Sequence, residues 1–179
     1  MAQRILRGVI GAGDRVVDAT AGNGHDTLFL AEAVGEDGRV LAFDVQECAI
    51  AEARARLEEA GLVARVEFYL ESHANLALRA GVGTVAAAMW NLGYLPGGDH
   101  GVTTAMEETL LGMDAVERVL KPGGWLTVVC YPGHPGGESE TAAVMDWLRE
   151  RAERGWRVAR YDMPWTRRPA PCLMVAVKG

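Results

Sequence analysis

No stretch of the 179 residues reaches the run of about 18 apolar positions that a membrane-spanning helix needs, so no membrane partner is expected. Cysteine is scarce. Cys48, Cys130 and Cys172 lie far apart, form no Cys-x-x-Cys pair and are odd in number, which excludes a disulfide framework and suits a reducing compartment. They read as small core residues. The N-terminus carries Arg4 and Arg7 without a long apolar stretch or a small-residue cleavage site, so no secretory leader is expected and the protein is expected in the cytoplasm. Repeats and low-complexity segments are missing. The four histidines (His25, His73, His100, His134) show no metal-ligand spacing with one another or with cysteine, so no metal is expected. Positive charge is also short. Lys and Arg total 18 against 24 Asp and Glu, a net charge of −6 that argues against a general nucleic-acid coat.

What remains is an ordinary globular composition, 49% hydrophobic and 23% charged, at a length that fits one domain over residues 1–179. Glycine is plentiful at 22 residues, which points to tight turns or a backbone-lined ligand site. Charge is uneven. From Met145 to Gly179 eight bases face four acids, a local +4 that leaves −10 for the rest. Such asymmetry permits a local site for an anionic partner, and equally a solvated helix face plus loop.

Strand-like and helix-like stretches alternate. Arg15–Thr20, Arg39–Val45, Arg65–Leu70, Thr84–Trp90 and Trp125–Tyr131 read as buried strands, and Asp26–Val34, Glu47–Ala60, Thr103–Leu120 and Glu138–Arg154 as helices. Trp156–Met163 and Cys172–Val177 are two last strands with prolines but no helix between them, so they should pair antiparallel. The expected fold is α/β: a seven-stranded, mostly parallel, Rossmann-like sheet with helices on both faces and an antiparallel last strand.

The first turn, Asp18-Ala19-Thr20-Ala21-Gly22-Asn23-Gly24-His25-Asp26, ends a strand and opens a helix, where open sheets bind ligands. Its two glycines admit a ligand close to the backbone. A carboxylate at Asp18 suits an ammonium or sulfonium better than a pyrophosphate, which wants bare helix N-terminal N–H groups. Gly-x-Gly-x-x-Gly is absent, with Thr27 in the third glycine's place, which argues against a dinucleotide. The structural alternative is a plain turn with Asp26 as its helix N-cap. Asp44 lies 26 residues beyond Asp18 at the end of the second strand, where an acid holds ribose hydroxyls, and Gln46 adds a neutral contact. Ser72 and His73, after Glu71, end the third strand, where a polar pair reads an adenine edge. His73 reads equally as a surface residue.

The fourth strand runs into Trp90-Asn91-Leu92-Gly93-Tyr94-Leu95-Pro96-Gly97-Gly98-Asp99-His100, the most unusual segment in the chain. Asn91 offers an amide oxygen to an amine, Tyr94 a stacking ring, and Asp99 or His100 a proton acceptor. Tyr131-Pro132-Gly133-His134 places a second glycine-containing loop beside it.

These segments together resemble the small class I S-adenosylmethionine-dependent methyltransferases of the MnmM type, once labelled rRNA methylases. The resemblance runs from about Gly8 to Val177 and is most specific over Asn91–Asp99. It implies methylation of the aminomethyl group of 5-aminomethyl-2-thiouridine at the tRNA wobble position. The cofactor it implies is S-adenosylmethionine, with S-adenosylhomocysteine as product. The cofactor site would comprise Asp18, Ala19, Thr20, Gly22, Asn23, Gly24, His25, Asp26, Thr27, Asp44, Val45, Gln46, Ser72, His73, Asn91 and Leu92. Asn91, Tyr94, Asp99 and His100 would be catalytic. Tyr94, Gly97, Gly98, Tyr131, His134, Arg167 and Arg168 would meet the substrate, a tRNA anticodon stem-loop rather than DNA. A homodimer is permitted. The competing readings are a methyltransferase acting on rRNA or a small amine, a non-catalytic nucleoside-binding module, and a nicotinamide dehydrogenase.

Overall fold

A computed structural model describes residues 1–93 and 106–179. Seven strands form one sheet: β1 (Arg15–Asp18), β2 (Arg39–Asp44), β3 (Val66–Leu70), β4 (Val85–Leu92), β5 (Leu120–Cys130), β6 (Arg157–Tyr161) and β7 (Cys172–Val177). Their order is β3-β2-β1-β4-β5-β7-β6. The pairs among β1 to β5 are parallel, while β7 enters between β5 and β6 antiparallel to both. This is the mixed sheet expected, with β7 as its one reversed strand. The chain winds outward from β1 in both directions, so a topological switch lies between β1 and β4, where the carboxyl ends of open sheets leave a crevice.

The helices cover both faces. They are α1 (Ala2–Leu6), α2 (His25–Ala33), α3 (Glu47–Glu59), α4 (Leu76–Arg79), α5 (Met106–Val119) and α6 (Gly137–Glu153). Strand side chains divide by alternation, as the pleat requires. Val17, Leu41, Ala88, Trp90 and Leu126 pack with Met113 and Val116 of α5 and with Val144 and Trp147 of α6. Val16, Val40, Ala87 and Met89 face the opposite side, with Leu6 of α1 and Phe29 and Leu30 of α2. In α3, Ala49, Ala53 and Leu57 recur every fourth residue to make the one buried stripe of an otherwise charged, strongly helix-forming segment. Gly24 explains how tightly α3 sits on α2. Its φ is 78°, and a Cβ there would fall 2.6 Å from the Cα of Ala53.

Most boundaries shift by one or two residues from expectation, and three of the differences shape the sheet. β1 stops at Asp18, because Ala19 and Thr20 turn out of the sheet. β4 continues two residues beyond Trp90, so Asn91 and Leu92 pair with Val129 and Cys130 of β5 and belong to the sheet rather than to a loop. Leu120 already pairs with Val85, and residues 121–124 bulge before the ladder resumes at Trp125. The short helix α1 was not expected, since five residues carry no readable period. No helix among the described residues is long and apolar enough to cross a membrane.

Candidate active site

The carboxyl ends of β1, β2, β3 and β4 open into a cleft of about 700 Å³. All the expected cofactor residues line it except Asp18, Gly24 and Thr27. Those three lie behind its wall. Asp18 is fully buried beneath the floor, where Thr27 Oγ1 donates to its Oδ2 at 2.6 Å and the Thr20 amide to its Oδ1 at 3.2 Å. Burial first, and the Asp26 charge next, push its carboxyl up to about 7. Asp18 is therefore the internal brace of the turn. The carboxylates that line the cleft are Asp26, Asp44, Glu71 and Glu108.

Asp44 ties the turn to β2. Its Oδ2 accepts from the Gly22 amide at 2.9 Å and its Oδ1 from the Gln46 amide at 2.9 Å. A carboxylate has about four lone-pair positions, so capacity remains for ligand hydroxyls. Ser72 accepts from the Ala74 amide at 3.1 Å and donates to Glu108. His73, which reads in sequence equally as a surface residue, is buried. Its Nδ1–H donates to the Ala19 carbonyl at 3.2 Å and its ring meets Trp90 edge-on. Burial lowers its pKa below the usual imidazole value, which keeps the ring neutral. Gly112 of α5 makes this seat, because a Cβ there would fall 2.4 Å from His73 Cδ2.

Asn91 is held from two sides. Its amide N–H donates to Thr20 Oγ1 at 2.8 Å, and its side-chain Nδ2 donates to Asp26 Oδ2 at 2.8 Å. With Nδ2 committed, Oδ1 is the atom left to accept from a ligand. Asp26 is not the helix cap. Gly24 occupies that position, and Asp26 sits in the first turn, where its Oδ1 also accepts from Gln3 Nε2 at 2.6 Å. Gln3 is thus the far end of a chain Gln3–Asp26–Asn91 that no sequence signal revealed.

Of the expected substrate residues, Tyr131 and His134 line the same cleft. Burial, then the Asp26 charge, raise the Tyr131 phenol above its usual value. Arg167 and Arg168 line a second hollow of about 550 Å³, with Pro169 shared between the two. Tyr94, Gly97, Gly98, Asp99 and His100 lie outside the described residues. Glu108, Pro169 and Pro171 also line the cleft and were missed, since nothing local in sequence shows that α5 and the β6–β7 loop reach this edge.

The donor set selects the ligand's charge. Among the described residues four carboxylates and no Lys or Arg line the cleft, an arrangement that attracts a cation and repels a pyrophosphate. Acid at the end of β2 and neutral polar groups at the end of β3 suit a nucleoside. A cationic nucleoside fits these walls.

The chain is similar to proteins of known family and structure. The sequence model of a family described as "Putative rRNA methylase" matches residues 40–177. A chloroplastic tRNA (mnm(5)s(2)U34)-methyltransferase of Arabidopsis thaliana is 36% identical over 95% of this chain, which spans 65% of that protein's length. A "putative rRNA-methylase" from Clostridium thermocellum superposes with a TM-score of 0.94 at 38% identity, covering 99% of this chain and 95% of that one. A "putative methyltransferase" from Streptococcus mutans, solved in complex with SAH, superposes with a TM-score of 0.88 at 30% identity, over 99% of this chain and 95% of that one.

Proposed function

Since the chain belongs to the rRNA-methylase family, we propose that it is an S-adenosylmethionine-dependent RNA methyltransferase acting on the aminomethyl amine of 5-aminomethyl-2-thiouridine at the tRNA wobble position. The observation that carries the reading is the cleft itself: among the described residues, carboxylates without a lysine or arginine, at the sheet's switch point, beside an asparagine whose amide oxygen accepts from none of them. The Arabidopsis relative, which by its name acts on the wobble uridine of tRNA, supports the choice of substrate.

When bound, S-adenosylmethionine supplies a methyl group on a positively charged sulfur and leaves as S-adenosylhomocysteine. The chain's own work is positioning. Asp44 accepts from ribose hydroxyls, with Val45 and Gln46 beside it. Ser72 and His73 meet the adenine edge, and Ala19, Thr20, Gly22, Asn23 and His25 form the wall along the turn. Asp26 orients Asn91, whose Oδ1 accepts an N–H of the incoming amine and so turns the amine's lone pair toward the methyl. An aliphatic amine is mostly protonated at neutral pH, so a proton leaves it before transfer. Asp99, His100 or water accepts that proton, and Tyr94 stacks on the target base. Tyr131 and His134 face the RNA, and Arg167 and Arg168 hold phosphates. The chain works as a single domain, in the cytoplasm.

Methyl-labelled S-adenosylmethionine offered with aminomethylated tRNA, rRNA or a metabolite extract tests the reading. Label is expected in tRNA. Label confined to rRNA or to the extract overturns the tRNA assignment, and no label in any of them overturns the enzyme.

A further inference from the structure

We propose that the β6–β7 loop is a stacking clamp for single-stranded RNA: Trp165 stacks on an unpaired base, and Arg167 and Arg168 grip the neighbouring phosphates. This rests on the RNA reading above and extends it to a residue and a surface outside the cleft.

Trp165 is 96% exposed, whereas Trp90, Trp147 and Trp156 are buried and Trp125 is half-buried. A lone exposed apolar residue is ordinary. This one is not alone, because Tyr161 and Met163 are also exposed on the same strand and loop. Pro164 and Thr166, the chain neighbours of Trp165, line the second hollow. Arg167 and Arg168 line that hollow too and pair with no carboxylate among the described residues. The loop is braced before any ligand arrives. Thr166 Oγ1 donates to the Arg168 carbonyl at 2.6 Å, Arg160 pairs with Asp162 at 2.6 Å, and Pro164, Pro169 and Pro171 restrict the backbone.

Charge chooses the occupant. Among the described residues the cleft is lined by four carboxylates and no lysine or arginine, while Arg160, Arg167 and Arg168 outnumber Glu138 and Asp162 in the adjoining hollow and Trp165 stands exposed between two of its lining residues. That combination is how proteins hold unpaired nucleotides, by stacking on a ring and neutralising the backbone. Pro169 walls both hollows, so the proposed clamp lies beside the cleft. A second copy of the chain is the competing occupant, since β6 is an exposed edge strand. A two-fold contact there would gather Arg157, Arg167 and Arg168 of both copies at one seam, whereas a polyanion neutralises them.

The test is binding of a labelled RNA hairpin with an unmodified, unpaired loop to the full chain, without methyl transfer. Trp165→Ala is expected to weaken binding roughly 10-fold or more, while Trp165→Phe stays within about threefold of the parent. Replacing both Arg167 and Arg168 by Ala should flatten the slope of log Kd against log salt by about 1.4, two phosphates' worth for a single strand. Calorimetry with S-adenosylhomocysteine should give the parent affinity for every variant. The inference falls if the parent chain does not bind the hairpin, if Trp165→Ala binds as tightly as the parent, or if Trp165→Ala dissolves a dimer in sedimentation with RNA affinity intact. Methyl transfer separates the two readings. A Trp165→Ala defect in hairpin binding by a chain that methylates no RNA leaves the clamp standing and removes the proposed activity. Transfer to tRNA with an unchanged KM in Trp165→Ala does the reverse.

Discussion

Two hollows share Pro169 as a wall and differ in charge: among the described residues one is lined by four carboxylates and no lysine or arginine, the other by three arginines and two carboxylates. The cleft is built at strand ends. Asp44 and Asn91 sit at the ends of β2 and β4, and backbone N–H groups of Gly22, Gln46 and Asn91 tie these ends to the turn. The second hollow lies between α6 and the loop that joins an edge strand to its neighbour, where Thr166 and the Arg160–Asp162 pair brace the chain. Rigid elements suit the group that must place a reacting atom, and a loop suits a partner held by charge and stacking. The difference teaches that an acidic chain can gather carboxylates at one sheet edge and keep a locally basic loop beside it, where Arg167 and Arg168 pair with no carboxylate among the described residues.

The largest expected effect separates the two regions. Asn91→Ala should lower kcat about 100-fold through lost orientation of the amine, with RNA-hairpin and S-adenosylhomocysteine affinities unchanged. Loss of hairpin affinity in steady binding measurements would mean that the two hollows are not independent. A smaller effect probes the support of Asn91. Gln3→Ala removes the 2.6 Å bond to Asp26 and should reduce kcat roughly 10-fold with the KM for RNA unchanged. Equal losses in kcat and hairpin affinity would instead mark α1 as general scaffolding.

The smallest effect is on stability. The Asp18 carboxyl is raised from 3.8 to about 7, so folding favours its neutral form. That contribution is complete below the ordinary carboxylate range and is lost as pH rises through about 7. The wild-type Tm should therefore fall relative to Asp18→Asn between about pH 5 and pH 8, the gap widening with pH. Parallel melting curves across that range would show that Asp18 stays ionised beneath the cleft floor.

Much of this was legible because local signals and the global fold agree. Alternating strand and helix segments imply a parallel sheet, and the glycine turn after β1, the acid ending β2 and the Asn91 segment mark its carboxyl edge. What escaped the sequence depends on distant contacts. Gln3 meets Asp26 across 23 positions, and Glu108 reaches the cleft only because α5 packs beside His73 through Gly112. The basic C-terminal segment also divides in space in a way its composition hides. Arg151 is buried against Asp114, Glu117 and the Trp147 ring, and Arg149 pairs with Asp146, while Arg167 and Arg168 face the hollow. Asp18 reads in sequence as the carboxylate facing a cation, but its side chain is buried, and Thr20 and Thr27 occupy both of its oxygens.

The most direct measurement is nucleoside mass spectrometry of tRNA bearing 5-aminomethyl-2-thiouridine after incubation with the protein and S-adenosylmethionine. The expected result is one added methyl on the wobble nucleoside, dependent on Asn91. An unmodified wobble nucleoside under conditions where S-adenosylmethionine is bound, or a methyl found on another base, would contradict the assignment.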